Sequence, residues 1–236
     1  MTEPAITETM LQELGKLDTP TICNALEVVA EQHRWRGFTQ LPLVCARPDL
    51  PPMVGFAKTA TIRSTEPGLG APAERKARRM RYFEYVDRGP RPKISVIQDL
   101  DGARAGFGAF WGEVNSNIHR ALGCLGTVTD GGVRDIPQLA PGFQALARAV
   151  VPSHAYVEIH GFGEEIVVGG MVVRDGDLVH ADRHGAVTIP KDQIAAVLAA
   201  AEKLTRREAT ILEACRRSDF SLAVLKDAIA RADSYH

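Results

Sequence analysis

The chain has 236 residues, 45% hydrophobic and 24% charged, with a formal net charge of −1. That length suits one large domain or two small ones, and so even a charge gives no global field to recruit nucleic acid or an anionic membrane. The longest apolar runs, such as "IAAVLAAA" at 194–201, are too short to cross a bilayer. The N-terminus "MTEPAITETM" has neither a basic segment nor an apolar one, so no signal peptide is expected. Four cysteines, Cys23, Cys45, Cys124 and Cys215, are scattered without metal-binding spacing. Reduced core thiols in a cytoplasmic protein are the expectation, not a disulfide or zinc framework.

In chain order, residues 5–17 carry apolar positions at helical spacing, and "DTPTICNALE" offers Asp18 or Thr19 as the cap of a second helix with Pro20 in its first turn. "MVGFAKTATIRS" at 53–64 and "KISVIQD" at 93–99 read as strands. Between them the 66–92 segment has Pro- and Gly-rich ends and a basic helix, "AERKARRMRYFEYV". That helix could suggest RNA binding; the plainer reading is a solvated charged face with Tyr82, Phe83 and Tyr85 packing inward. "EVNSNIHRALGC" reads as a helix, and "CLGTVTD" as an apolar strand ending in Gly131–Gly132. "AVVPSHAYVEI" is expected to be extended, and "EEIVVGGMVVRDGDLVHADRHGAVTIP" to be short strands joined by tight turns. Pro190 marks the start of a long amphipathic helix, followed by a last helix near 219–232. Helices interleave with strands and no repeat appears, which predicts α/β architecture in one domain over 1–236, closed by C-terminal helices at 191–232.

Two Arg-Asp pairs carry different signals. Arg174–Asp175 precedes Gly176 between apolar runs, a strong hairpin pattern in which Asp and Gly tolerate positive φ; on this reading Asp175→Asn should do little. Arg134–Asp135, in "TVTDGGVRD", follows a strand and a Gly-Gly step, a place where α/β sheets keep ligand crevices. A solvated ion pair is the competing reading of that dipeptide alone.

The stretch upstream decides for function. Gly112 and Glu113 lie in "WGEVNSN", and twenty residues separate Glu113 from Arg134. This spacing resembles the acid-x20-Arg-Asp signature of class II pyruvate aldolases in the RraA-like family, which includes the 4-hydroxy-4-methyl-2-oxoglutarate / 4-carboxy-4-hydroxy-2-oxoadipate aldolases. "TPTICNALE", "VGFAKTATI", "ALGCLGTVTDGGVRDIPQL" and "GGMVVRDGDLVHADRHGAVTIP" extend the resemblance over about 18–215. It implies a three-layer swivelling β/β/α domain, assembled as a trimer or a hexamer made of two trimers. It also implies a lyase that releases pyruvate from a 4-hydroxy-2-oxo acid and decarboxylates oxaloacetate. Asp135 would bind a divalent metal, Mg²⁺ or Mn²⁺, with Glu113 reaching it through a water. The metal would act as a Lewis acid as pyruvate enolate forms, with Arg134 hydrogen-bonding the keto oxygen. Gly112, Glu113, Val114 and Asn115 would contact substrate, the N–H groups of Val114 and Asn115 holding its carboxylate at a helix N-terminus. An acid from a neighbour's C-terminal helix would complete the site, with Glu208 the candidate and Glu202 the second. This chain departs from the pattern in having Glu113 where Asp is common, and in a 66–92 segment that reads as an insertion able to alter substrate choice.

Two rival readings remain. A non-catalytic regulator of ribonuclease activity, like other members of the family, would bind a protein or RNA partner, perhaps through the basic helix at 74–81; those members usually lack the aspartate present here as Asp135. Gly106, Gly108 and Gly112, with Asp130 after the next strand, resemble a dinucleotide pattern, but "DLDGARA" separates the strand from the first glycine by too much for that tight turn. His119 and His160 are read as hydrogen-bonded, not catalytic, and His180 and His184, which flank Asp182, have a spacing that fits a strand and turn better than loose metal ligation.

Overall fold

A computed structural model describes residues 6–234. Two side-chain caps set its first helices. Thr7 accepts the Met10 N–H ahead of α1 (Glu8–Leu14), and Asp18 accepts the Thr21 N–H ahead of α2 (Thr19–Val29), with Pro20 in the first turn. Each cap satisfies a first-turn donor that has no partner within its helix.

After the short β1 (Val44–Cys45), β2 (Met53–Arg63) runs through the protein buried at every residue except Arg63, as a strand covered on both faces should be. The basic helix forms α3 (Pro72–Asp87), which carries the chain to β3 (Lys93–Asp99), parallel to β2 over Phe56–Ile62. Parallel neighbours require such a crossover. Next come β4 (Ala109–Trp111), α4 (Glu113–Ala121), β5 (Cys124–Thr129), β6 (Gly132–Val133), β7 (Gln144–Ala147) and β8 (Ala149–Val150). The remainder is β9 (Glu158–Phe162), β10 (Ile166–Val168), β11 (Met171–Val173), β12 (Leu178–Asp182), β13 (Gly185–Ile189), α5 (Ile194–Cys215) and α6 (Leu222–Ala232).

The main sheet has the order β1-β7-β5-β3-β2-β12-β13. Its centre, from β7 to β2, is parallel. The far edge of β2 is divided: β12 takes Met53–Phe56 and β9 takes Ala60–Arg63, both antiparallel. Alternation along β2 separates the layers. Val54 and Phe56 meet α1, α2 and α5 on one face, and Ala60 and Ile62 continue that face toward Tyr82 of α3. Met53 and Ala57 face the β10–β11 hairpin with Ile94, Val96 and Val128. Hairpin, sheet and helices make the expected layered α/β arrangement.

Local detail differs from the sequence reading in three places. The helix expected over 113–124 ends at Ala121, and the strand expected through Gly131–Gly132 is two strands, because β5 ends at Thr129 and β6 joins a separate small sheet. The Arg174–Asp177 stretch is a turn, closed by Asp177 N–H to Arg174 O (3.1 Å) with Gly176 at φ +81°. It does not close a hairpin: β11 pairs with β10, whereas β12 pairs with β13 and β2.

Candidate functional site

β4 and β6 lie parallel in a three-stranded sheet with β8, pairing Ala109 with Gly132 and Trp111 with Val133. The Arg134 N–H extends the ladder by donating to Trp111 O (2.9 Å). Parallel neighbours end on the same side, so Gly112–Glu113 and Arg134–Asp135 meet at two adjacent carboxyl ends. The twenty residues between Glu113 and Arg134 are α4, β5 and the step back into β6.

Asp135 is held in the left-handed region, at φ 51° and ψ 40°, a conformation that non-glycine residues enter at a cost and Asp tolerates better than most. Its Oδ2 accepts the Glu113 N–H at 3.3 Å and lies 3.5 Å from Arg134 Nε. The carboxylate therefore sits at the positive end of α4 while remaining 38% exposed. Gly112 makes room for it. A Cβ there would stand 2.6 Å from Asp135 Oδ2 and 3.2 Å from Arg134 Cγ. The backbone at Gly112 is extended, so close approach, not backbone freedom, requires glycine here.

These residues border a cavity of about 650 Å³ together with Val114 and Asn115. All six residues read from the sequence at the 112–115 and 134–135 positions are thus brought together. Asn115 anchors the first turn of α4: its side chain donates to Phe110 O (2.6 Å) and accepts from Arg79 (3.0 Å). The N–H groups of Val114 and Asn115 make no hydrogen bond among the described residues, leaving a helix N-terminus open to an anion. Glu208 and Glu202 do not border the cavity; both are exposed on α5, and Glu202 pairs with Arg206.

The sequence reading missed another wall. Arg75, Lys76, Arg78 and Arg79 of α3 line the same cavity, with Glu158 and His154. Tyr82 is buried and Phe83 and Tyr85 partly buried, as expected, yet the basic face turns in part toward the site and not wholly to solvent. Arg75 Nε lies 2.8 Å from Glu158, whose other oxygen is 3.9 Å from Arg78. The i, i+3 and i, i+4 spacing of these cations around inward-facing Tyr82 was the available signal.

The seat of α3 is a buried histidine. His119 Nδ1 donates to Asn115 O (2.7 Å), so Nε2 accepts from Tyr82 OH (2.8 Å). Burial pushes its pKa down to about 4, which keeps the ring neutral. His180 is likewise buried and bonded to Thr19 and Leu17, and His184 pairs with Asp182; His160 is exposed on β9. The glycine pattern has a structural explanation: Asp99 accepts from Gly106 N–H (2.9 Å), and Asp130 accepts from Asp99 N–H (2.6 Å). Burial raises Asp130 to about 6, opposed by the Asp99 N–H that its carboxylate accepts. Only Cys124 is a fully buried thiol; burial pushes it up to about 12 and Cys23 to about 11, which makes both poor nucleophiles.

Among the described residues no three His, Cys, Asp or Glu side chains cluster as a closed metal site. Asp135, with Glu113 beside it, offers only hard oxygen donors. That donor set fits a divalent cation that keeps most of its waters, not zinc. No helix among the described residues is long and apolar enough to cross a membrane.

The fold has solved counterparts. An uncharacterized protein from Pseudomonas syringae pv. tomato superposes with a TM-score of 0.73 at 23% identity, over 98% of this chain and 97% of that one. RraAS2 of Streptomyces coelicolor, described as an unusual member of the RNase ES inhibitor RraA protein family, gives 0.66 at 19% identity over 87% and 96%. Protein DlpA of Legionella pneumophila is 21% identical over 117 residues, 48% of this chain and 18% of DlpA, so the chain spans under a fifth of that relative. The RraA-like (Aldolase/RraA) pattern matches residues 17–188, in a family that includes aldolase/decarboxylase enzymes and RNase-inhibitor members. By that match, which takes in both β2 and the Arg134–Asp135 site, the chain belongs to the RraA-like family.

Proposed function

We propose that the protein is a divalent-metal-dependent carbon–carbon lyase. It cleaves a 4-hydroxy-2-oxo acid, of the 4-hydroxy-4-methyl-2-oxoglutarate type, to release pyruvate, and it decarboxylates oxaloacetate. The observation that carries this reading is Asp135, a left-handed aspartate whose half-exposed carboxylate is gripped by the N-terminus of α4 beside Arg134. Strained backbone of this kind persists where the surroundings over-determine it, and it clusters at functional sites.

Asp135 would hold Mg²⁺ or Mn²⁺ directly, with Glu113 acting through a water. When bound, the ion supplies Lewis-acid polarisation of the substrate's 2-oxo group. The chain's own groups do the remainder. The open N–H groups of Val114 and Asn115 take the adjacent carboxylate. Glu113, through a water, accepts the 4-hydroxyl proton as the C3–C4 bond breaks. The electron pair of that bond passes into the pyruvate fragment as an enolate, and Arg134 donates to the oxygen where the charge gathers. Protonation at C3 completes pyruvate. With oxaloacetate, loss of CO₂ leaves the same enolate and no hydroxyl proton moves.

RraA-like proteins are typically oligomeric. A trimer or hexamer, cytoplasmic, in which exposed Glu208 of one subunit supplies an acid to the next, completes the proposal. The 66–92 segment acts in it as the part that shapes substrate choice.

A ribonuclease regulator is the second reading, favoured by one observation: part of the α3 basic face, Arg81 included, is exposed. One assay separates the two. Pyruvate release from oxaloacetate and from 4-carboxy-4-hydroxy-2-oxoadipate is followed with Mg²⁺, with Mn²⁺ and with chelator, beside Asp135→Ala. Metal-dependent release that the variant lacks is the expected result; no release under any condition overturns the lyase reading.

A further inference from the structure

The cavity is charged unevenly. Five cationic side chains line it, Arg75, Lys76, Arg78, Arg79 and Arg134, against three carboxylates, Glu113, Asp135 and Glu158. Only Arg134 belongs to the site at the ends of β4 and β6; the other four cations come from α3.

The four are not equivalent. Arg75 pairs with Glu158 and donates to Gly70 O (3.2 Å); Arg78 donates to Leu69 O (2.8 Å) and faces the same Glu158. These two fix the start of α3 against β9. Lys76 makes no hydrogen bond or ion pair among the described residues, and Arg79 makes one hydrogen bond, to Asn115 in the first turn of α4. Lys76 and Arg79 are three residues apart, so they share a face of the helix. A guanidinium with donors to spare beyond its one bond to Asn115, on the same helix face as an ammonium, suits a carboxylate.

We propose that Lys76 and Arg79 determine specificity: they take a second anionic group, a carboxylate, at the end of the substrate opposite its 2-oxo acid head. This rests on the lyase reading above and deepens it, because it names the side chains that meet the distal carboxylate of substrates of that type. Arg75 and Arg78, with Glu158, position the helix that presents the pair.

The test uses two ligands with the same 2-oxo acid head, 2-oxoglutarate and 2-oxopentanoate, which differ in the distal carboxylate. Their binding to the Mg²⁺-loaded protein is measured by calorimetry. The expected result is a preference for 2-oxoglutarate of roughly tenfold to a hundredfold, the size of one hydrogen bond to a charged group. Arg79→Met and Lys76→Met each reduce that preference and leave 2-oxopentanoate binding unchanged. Lys76→Met removes no hydrogen bond or ion pair among the described residues, so it breaks no bond to Asn115. Arg134→Met weakens both ligands. Equal binding of the two ligands, or a preference that survives both α3 substitutions, overturns this inference and leaves the lyase reading intact. Failure of both ligands to bind at all removes the lyase reading and this one with it.

Discussion

The molecule contains the same dipeptide in two settings. At 134–135 the arginine and aspartate follow the end of β6, beside the end of β4, and the carboxylate keeps a face toward the cavity. At 174–175 two side chains engage the aspartate: it accepts from Tyr85 OH and lies 3.2 Å from Lys58 Nζ, while Tyr85 OH also accepts the Thr59 N–H (3.0 Å). Its arginine faces outward to Glu165. Of the two aspartates only Asp135 adopts the left-handed backbone that the sequence pattern suggested for Asp175. The difference teaches that an Arg-Asp step has no fixed meaning; what matters is whether the carboxylate's lone pairs are already occupied when the chain has folded.

Substitution breaks the comparison most sharply at Asp135. Asp135→Ala should abolish metal-dependent turnover, because it removes the carboxylate that would hold the ion, while the melting temperature stays near wild type. Gly112→Ala should come close to it, because its Cβ collides with Asp135 Oδ2 at 2.6 Å; retained metal affinity by calorimetry would contradict this. Asp175→Asn reverses the pattern. Here kcat should stay near wild type, in keeping with the sequence reading, while stability should fall by about 1–3 kcal/mol, typical of a hydrogen bond to a charged group. Denaturant midpoints measure it.

A third acid on the same stretch sharpens the contrast through pH. Asp130 titrates near 6 in the folded protein because burial disfavours its charge, above its usual 3.8. The folded state therefore binds the proton more readily than the unfolded one. Its charge penalty is present above pH 6 and is relieved as pH falls from about 6 toward 4. Asp130→Asn should raise the melting temperature at pH 7.5 and lose that advantage near pH 4; an equal effect at both pH values would contradict the assignment. The smallest effect belongs to Arg174→Ala. Its pair with Glu165 is 74% and 50% exposed, so less than about 0.5 kcal/mol is expected.

What could be read from the sequence follows from range. A cap at Asp18 or Thr19, the strand at 53–64 and the spacing from Glu113 to Arg134 are local or periodic, and each was legible; that β2 is buried on both faces was not. The left-handed Asp135 was not, because the Glu113 N–H that holds it lies 22 residues upstream. Nor were the partners of Asp175: Tyr85 and Lys58 are 90 and 117 residues distant. The Asp-Gly turn was legible as a turn, but which strands pair across it is decided by β2 and β10. The α3 wall was hidden for a related reason, since a charge run looks solvated until the topology lays it over strand ends.

Crossover α3 has a consequence for descent. Parallel pairing of β2 with β3 obliges the chain to make some excursion at this point, but it does not dictate what that excursion carries. Residues that meet the variable end of a ligand can then change while the strands presenting Arg134 and Asp135 keep their register. Relatives that share the Asp135 site and differ in α3 would share chemistry and diverge in diet.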